Sequence, residues 1–253
     1  MRSPIKVKSR DFKALSAIKK IVPPQSIIHS FLMLDGSIEF GLAANDRYVV
    51  AHTNKYVCYE FWWCVKNNPR RILEAVKYLE PIQDKNVFYL LQENWPSYRD
   101  PYVRSALFLL LNRYSATGKI SSGDFNLEAY RPTDAIQLQN MGFQNLHLLL
   151  DKQEDFTDSI NEINGRCDYI LIPVGDYTLN LFEEEKLGYE DTHVSHKKLQ
   201  TVFENTDKKM ILVYKMSSKL VMKYRQHNIT YINKYGRPVS DAKNAEEVLI
   251  ANF

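Results

Sequence analysis

The hydrophobic positions of this chain fall into short blocks that switch between a helical and an extended period. Lys13–Ile21 spaces its apolar residues as a short amphipathic helix, closed by Val22-Pro23-Pro24, because a residue before proline is pushed out of the α region. Ser26–Leu34 (SIIHSFLML) is apolar enough for a buried strand, and Asp35-Gly36-Ser37 opens the next helix. Arg47–Ala51 is a second short strand and Asn54–Asn67 a helix rich in aromatics. Helical patterns follow over Arg70–Leu79 and around Val87–Asn94. The strand rhythm returns at Tyr169–Ile172, with helix His196–Asn205, strand Met210–Tyr214 and a basic helix Ser217–His227 after it. Thr230–Asn233 and Glu247–Ala251 close the chain as a hairpin around the Gly236-Arg237-Pro238 turn. Such alternation predicts a three-layer α/β fold with a mixed, mostly parallel sheet. Residues 1–64 and 163–253 form its core, and residues 65–162 a mainly helical insert.

One stretch interrupts this pattern informatively. Arg99–Asn126 (RDPYVRSALFLLLNRYSATGKISSGDFN) begins as a helix, with Pro101 suited to a first turn and an apolar run at Ser105–Leu111. It then breaks at Asn112-Arg113-Tyr114 into a Gly118-Lys119 turn and the polar hairpin signal Ser121-Ser122-Gly123-Asp124. A loop after a buried helix faces solvent, so Arg113, Tyr114 and Lys119 are candidate contacts to nucleic acid, with a structural role as the other reading.

Composition narrows the picture only a little. The 253 residues carry 45% hydrophobic and 25% charged side chains, ordinary for a globular protein. Glycine is scarce at 9, which argues against a cofactor site built on several glycine-rich loops. Net charge is +3, so its distribution matters more than its total: between Lys208 and Pro238 eight Lys or Arg stand without a single Asp or Glu. Such a run is either a solvated face or a surface for an anionic partner. Three cysteines, Cys58, Cys64 and Cys167, without metal-ligand spacing, fit a reducing compartment. With no secretory leader pattern and no apolar run of membrane-spanning length, the expectation is a soluble, cytoplasmic protein.

The order of apolar helix, Asn-Arg-aromatic and then Gly-Asp-Phe-Asn resembles the target-recognition insert of Dam-type DNA adenine-N6 methyltransferases, and the rest of the chain is similar to that family in order and spacing. Lys6–Pro23 looks like the family's opening segment, with Leu15, Ile18 and Pro23 fitting, and Ser9, Arg10 and Asp11 where Gly-Gly-Lys is expected. Ile27–Gly36 occupies the place of the methyl-donor motif. Phe31, Gly36 and Ser37 fit it, while His29 stands at the acidic position and Met33 replaces the first glycine. Ala51-His52-Thr53-Asn54 takes the place of the segment whose acid or amide holds the donor's ribose. The family's catalytic Asp-Pro-Pro-aromatic tetrad follows the strand at Tyr169–Ile172. Here that place holds Pro173-Val174-Gly175-Asp176, with Tyr177 one residue late, so that a bulge would put valine at the acceptor position. Ala245–Phe253 looks like the family's last strand.

The resemblance implies a Rossmann-like S-adenosylmethionine-dependent methyltransferase fold, and the departures imply that methyl transfer has been lost. A preorganised polar group acting on a transition state is worth about 2.7–4 kcal/mol, so four departures together remove most donor affinity and nearly all rate. The expectation is a non-catalytic protein, without cofactor, that holds DNA or scaffolds an assembly, with Arg113, Lys119, Lys215, Lys219 and Lys223 meeting phosphates or an acidic partner. Two rivals stay open. One is a divergent, active adenine-N6 methyltransferase using S-adenosylmethionine. The other is a structural or regulatory subunit without nucleic-acid affinity that pairs with an active methyltransferase or a virion component, located in the host cytoplasm or the virion if the chain is phage-encoded. His193-x-x-His196 lacks further ligands in register, and Tyr59–Trp63 (YEFWW) reads as core packing rather than a base-stacking platform.

Overall fold

A computed structural model describes residues 3–8, 11–177 and 188–253, the side chain of Asp134 aside. Their centre is one eight-stranded sheet in the order β3-β2-β1-β4-β5-β8-β6-β7. The strands are β1 Ile27–Ser30, β2 Tyr48–Thr53, β3 Leu146–Leu150, β4 Tyr169–Gly175, β5 Met210–Lys215, β6 Asn228–Ile232, β7 Pro238–Val239 and β8 Glu247–Ala251. β1 to β5 are mutually parallel, and β8 runs antiparallel between β5 and β6. Strand residues alternate between two cores. Ile28, Val49, Ala51, Leu171, Ile211 and Leu249 face one side. Ile170, Ile172, Met210, Leu212, Val248 and Ile250 face the other.

Helices cover both faces, which makes the α/β sandwich three-layered. The first core takes α1 (Leu15–Ile21), α2 (Ser37–Ala43), α3 (Tyr56–Asn67), α4 (Pro69–Leu79), α5 (Lys85–Asn94) and α6 (Pro101–Tyr114), with α7 (Pro132–Ile136) after them. The second takes α8 (Phe156–Asn161), α9 (His196–Asn205) and α10 (Ser218–Lys223). No helix among the described residues is long and apolar enough to cross a membrane.

Several elements differ from the sequence expectation. The strand predicted over Ser26–Leu34 stops at Ser30, because Leu32 turns left-handed at φ 63° and sends Phe31–Leu34 inward as a buried loop. The strand predicted to end at Ile172 continues to Gly175, with its register against β5 shifting between Pro173 and Gly175. Pro173 and Val174 therefore lie inside a strand and not in a loop after it. Leu146–Leu150 lies inside the span assigned to the helical insert, yet it is a strand of the main sheet, paired with β2. Finally, α6 does not break at Asn112 but runs through Tyr114, and the predicted helix Ser217–His227 shortens to Ser218–Lys223. The closing hairpin forms between β6 and β7, with β8 pairing on the other side of β6.

Candidate functional site

In a parallel sheet of this order, successive connections leave β1 and β4 in opposite directions. The crevice beyond their carboxyl ends is where such sheets bind ligands. Here the loop after β1 is buried, with Phe31 and Leu32 in the core on one face of the sheet and Met33 and Leu34 in the core on the other. Phe31, Leu32, Met33 and Leu34 are 0, 3, 2 and 6% exposed. The Met33 amide donates to the His52 carbonyl at 2.9 Å, and the Leu34 carbonyl accepts from Trp62 Nε1 at 2.8 Å. Gly36, at φ +70°, caps α2 so tightly that a Cβ there would lie 2.9 Å from Met33 Cε.

Behind the loop, Phe31 stacks on the His52 ring at 4.2 Å. His52 Nδ1 lies 2.8 Å from Asp151 Oδ1, and its Nε2 lies 2.9 Å from His29 Nδ1. The carboxylate fixes the His52 proton on Nδ1, so a neutral His52 accepts at Nε2 from His29 Nδ1–H. Burial, with His52 and Lys208 nearby, lowers the His29 pKa to about 4. His52, placed by sequence at the ribose-binding position, is thus 3% exposed and committed to two internal partners. The acid beside it, Asp151, was missed because the strand that delivers it, β3, was missed. Nearby, the Ser30 hydroxyl donates to buried Glu39 at 2.7 Å.

At the end of β4, Val174 is 5% exposed and offers no acceptor, while Asp176 points to solvent. Tyr177 packs on His196 at 4.7 Å and on Tyr214 at 6.2 Å. Burial and the cations Lys223 and His193 bring the His196 pKa down to about 4. Its Nδ1 sits 3.1 Å from the Tyr214 hydroxyl, whose own pKa burial drives upward.

The predicted nucleic-acid residues are dispersed, and most are already engaged. Arg113 and Tyr114 are 5 and 2% exposed, because α6 continues through them into the core. Tyr114 stacks on Tyr130 at 4.5 Å, and Arg113 faces a cavity shared with Asp35 and Ser37. Lys119 is half-buried, and the turn that carries it is held from within. Buried Glu190 accepts the Ile120 and Ser121 amides at 2.7 and 3.0 Å. Lys215 pairs at 2.8 Å with Glu247, which is fully buried, and also donates to the Asp11 carbonyl. Lys223 leans over the Tyr177 ring and donates to the His196 carbonyl at 3.4 Å. Lys219 alone of these five cations is exposed. Asp11 is exposed and pairs with Lys13, whereas Ser9 and Arg10 lie outside the described residues.

Among the described residues, no three His, Cys, Asp or Glu side chains gather as metal ligands. No family model matches the chain, and neither does any curated protein.

Proposed function

We propose that this protein is a methyltransferase-like frame that transfers no methyl group and serves as a scaffolding component of a larger assembly. The observation that carries this reading is the loop Phe31–Leu34 directly after β1, whose apolar side chains are buried in the cores on both faces of the sheet. A sulfonium donor needs close backbone approach there and an acid for its ribose. This chain offers buried Leu32 and Met33 and a histidine already bonded to Asp151, so the residues do not fit the group. The strand order, with a reversed β8 inserted after β5, is compatible with the expected methyltransferase frame and supports descent from it. Scaffolding is favoured over DNA binding because three of the five candidate cations are buried, ion-paired or folded onto the protein and a fourth, Lys119, is half-buried.

Calorimetric titration with S-adenosylmethionine, followed by incubation of labelled donor with unmethylated duplex, tests the reading. Silence up to roughly millimolar donor is expected, since each lost hydrogen bond to a charged group costs about 1.5–3 kcal/mol. Micromolar binding together with label on adenine N6 would sink it.

A further inference from the structure

On the α8 face of the sheet, a cavity of about 500 Å³ opens between β1–β3 and the turn after α8. Its lining includes two polar side chains that the fold buries without satisfying. Asp151 is 5% exposed, and its Oδ2 has no hydrogen-bond partner, Oδ1 alone being taken by His52. Ser159 is 7% exposed, and its Oγ is likewise unpartnered. A buried acceptor left unmade is costly, and for a carboxylate oxygen the cost is highest, so the site is built for a donor that the chain does not supply.

A third acceptor in the lining is His29. The relay from Asp151 through His52 puts the His29 proton on Nδ1, which leaves Nε2 as a lone-pair acceptor. Carboxylate oxygen, imidazole nitrogen and hydroxyl are therefore all acceptors in the wall, the carboxylate oxygen and the hydroxyl shielded from solvent. Leu149, Leu150 and Ile163 supply apolar wall, and exposed Glu162 stands at the rim. Lys152, also at the rim, is exposed to solvent, so its repulsion is screened.

We infer that this cavity binds a primary ammonium group on a short aliphatic chain, with Asp151, His29 and Ser159 as acceptors for its three N–H bonds. An ammonium has three donors and no acceptor, which matches this set, and its methylene stem matches the leucine and isoleucine wall. The inference rests on the reading that this edge of the sheet no longer holds a sulfonium donor. The two fail separately, because S-adenosylmethionine and a simple diamine are titrated in separate experiments.

The test is calorimetry of the full chain with 1,4-diaminobutane, and with 1,4-butanediol as the isosteric neutral control. The diamine is expected to bind, and the diol to bind at least about tenfold more weakly, as a charge-assisted hydrogen bond requires. Asp151→Asn keeps an acceptor for His52 but turns a donor toward the cavity, and it should weaken the diamine by roughly tenfold or more. Ser159→Ala should weaken it by a smaller factor, and thermal melts of both variants establish that they are folded. If a blocked lysine (Nα-acetyl-lysine methylamide) binds more tightly than the diamine, the natural source is a partner's lysine; the reverse order assigns a free amine. Equal heats for diamine and diol, or affinity unchanged in both variants, would overturn the proposal.

Discussion

Asn112 and Gly118 show what single residues do in the segment that looks like a recognition loop. The Asn112 side chain accepts from the Lys6 amide and donates to the Lys6 carbonyl, both at 2.9 Å, so it pairs with the N-terminal segment as a strand would. It also donates to the Gly118 carbonyl at 2.5 Å. Gly118 lies at φ +80°, where a Cβ would come 1.7 Å from the Lys6 carbonyl oxygen. Both the left-handed backbone and the close approach demand glycine. Gly118→Ala should therefore destabilise the protein by about 2–4 kcal/mol, measured by urea denaturation. A loss below about 0.5 kcal/mol, the range of an ordinary surface change, would mean that Lys6 does not dock on this turn.

At the scale of elements, the N-terminal segment, β5 and β8 are joined by one buried carboxylate. Glu247 on β8 accepts the Lys13 amide at 2.9 and 2.8 Å through its two oxygens, and Lys215 on β5 at 2.8 Å. Its side chain is 0% exposed, whereas that of Lys215 is 23% exposed. Removing the lysine leaves a charge in the core with that cation gone, and breaking such a pair costs about 3–5 kcal/mol when both members are buried. Lys215→Met should lose about 2–3 kcal/mol, the lower value following from partial exposure of the cation. Lys219→Met, on the exposed side of α10, should change stability by less than about 0.5 kcal/mol. Equal effects of the two substitutions in chemical denaturation would contradict the division of these lysines into one structural and one surface group. Glu60 and Arg104 join α3 to α6 in the same way, through a two-point contact.

For the whole molecule, two half-buried histidines contribute to the loss of stability in acid. His29 and His196 both have pKa values lowered from 6.5 to about 4, chiefly by burial. Between these values the unfolded chain binds protons that the folded chain refuses. Their contribution is therefore complete above pH 6.5 and is lost as the pH falls toward 4. Discounted for the partial solvent exposure of both rings, the loss is on the order of 1–2 kcal/mol for each. His29→Gln should flatten the fall in unfolding free energy between pH 6.5 and 4 relative to the parent protein. An identical slope in the two proteins would remove His29 from this role. The fall matters at the scale of the fold because the His29–His52–Asp151 chain ties together β1, β2 and the end of β3.

Local sequence determined the elements whose pattern is set by their own residues. Helix His196–Asn205 has the predicted bounds, α1, α3 and α4 lie within two residues of theirs, and the parallel α/β alternation follows from the order of the strands. What His29, Met33 and His52 are able to accept or donate was legible in the sequence, because residue identity alone states it. Tertiary structure decided the rest. Leu146–Leu150 became a strand only because β2 offered it a parallel partner, and Asp151 reached His52 only through that pairing. Arg113, Tyr114 and Lys215 are identical in sequence terms to surface cations and aromatics, and long-range packing is what took them out of solvent. A periodic pattern records which face of an element is apolar; which partner covers that face, and which polar groups are buried along with it, depends on residues a hundred or more positions away.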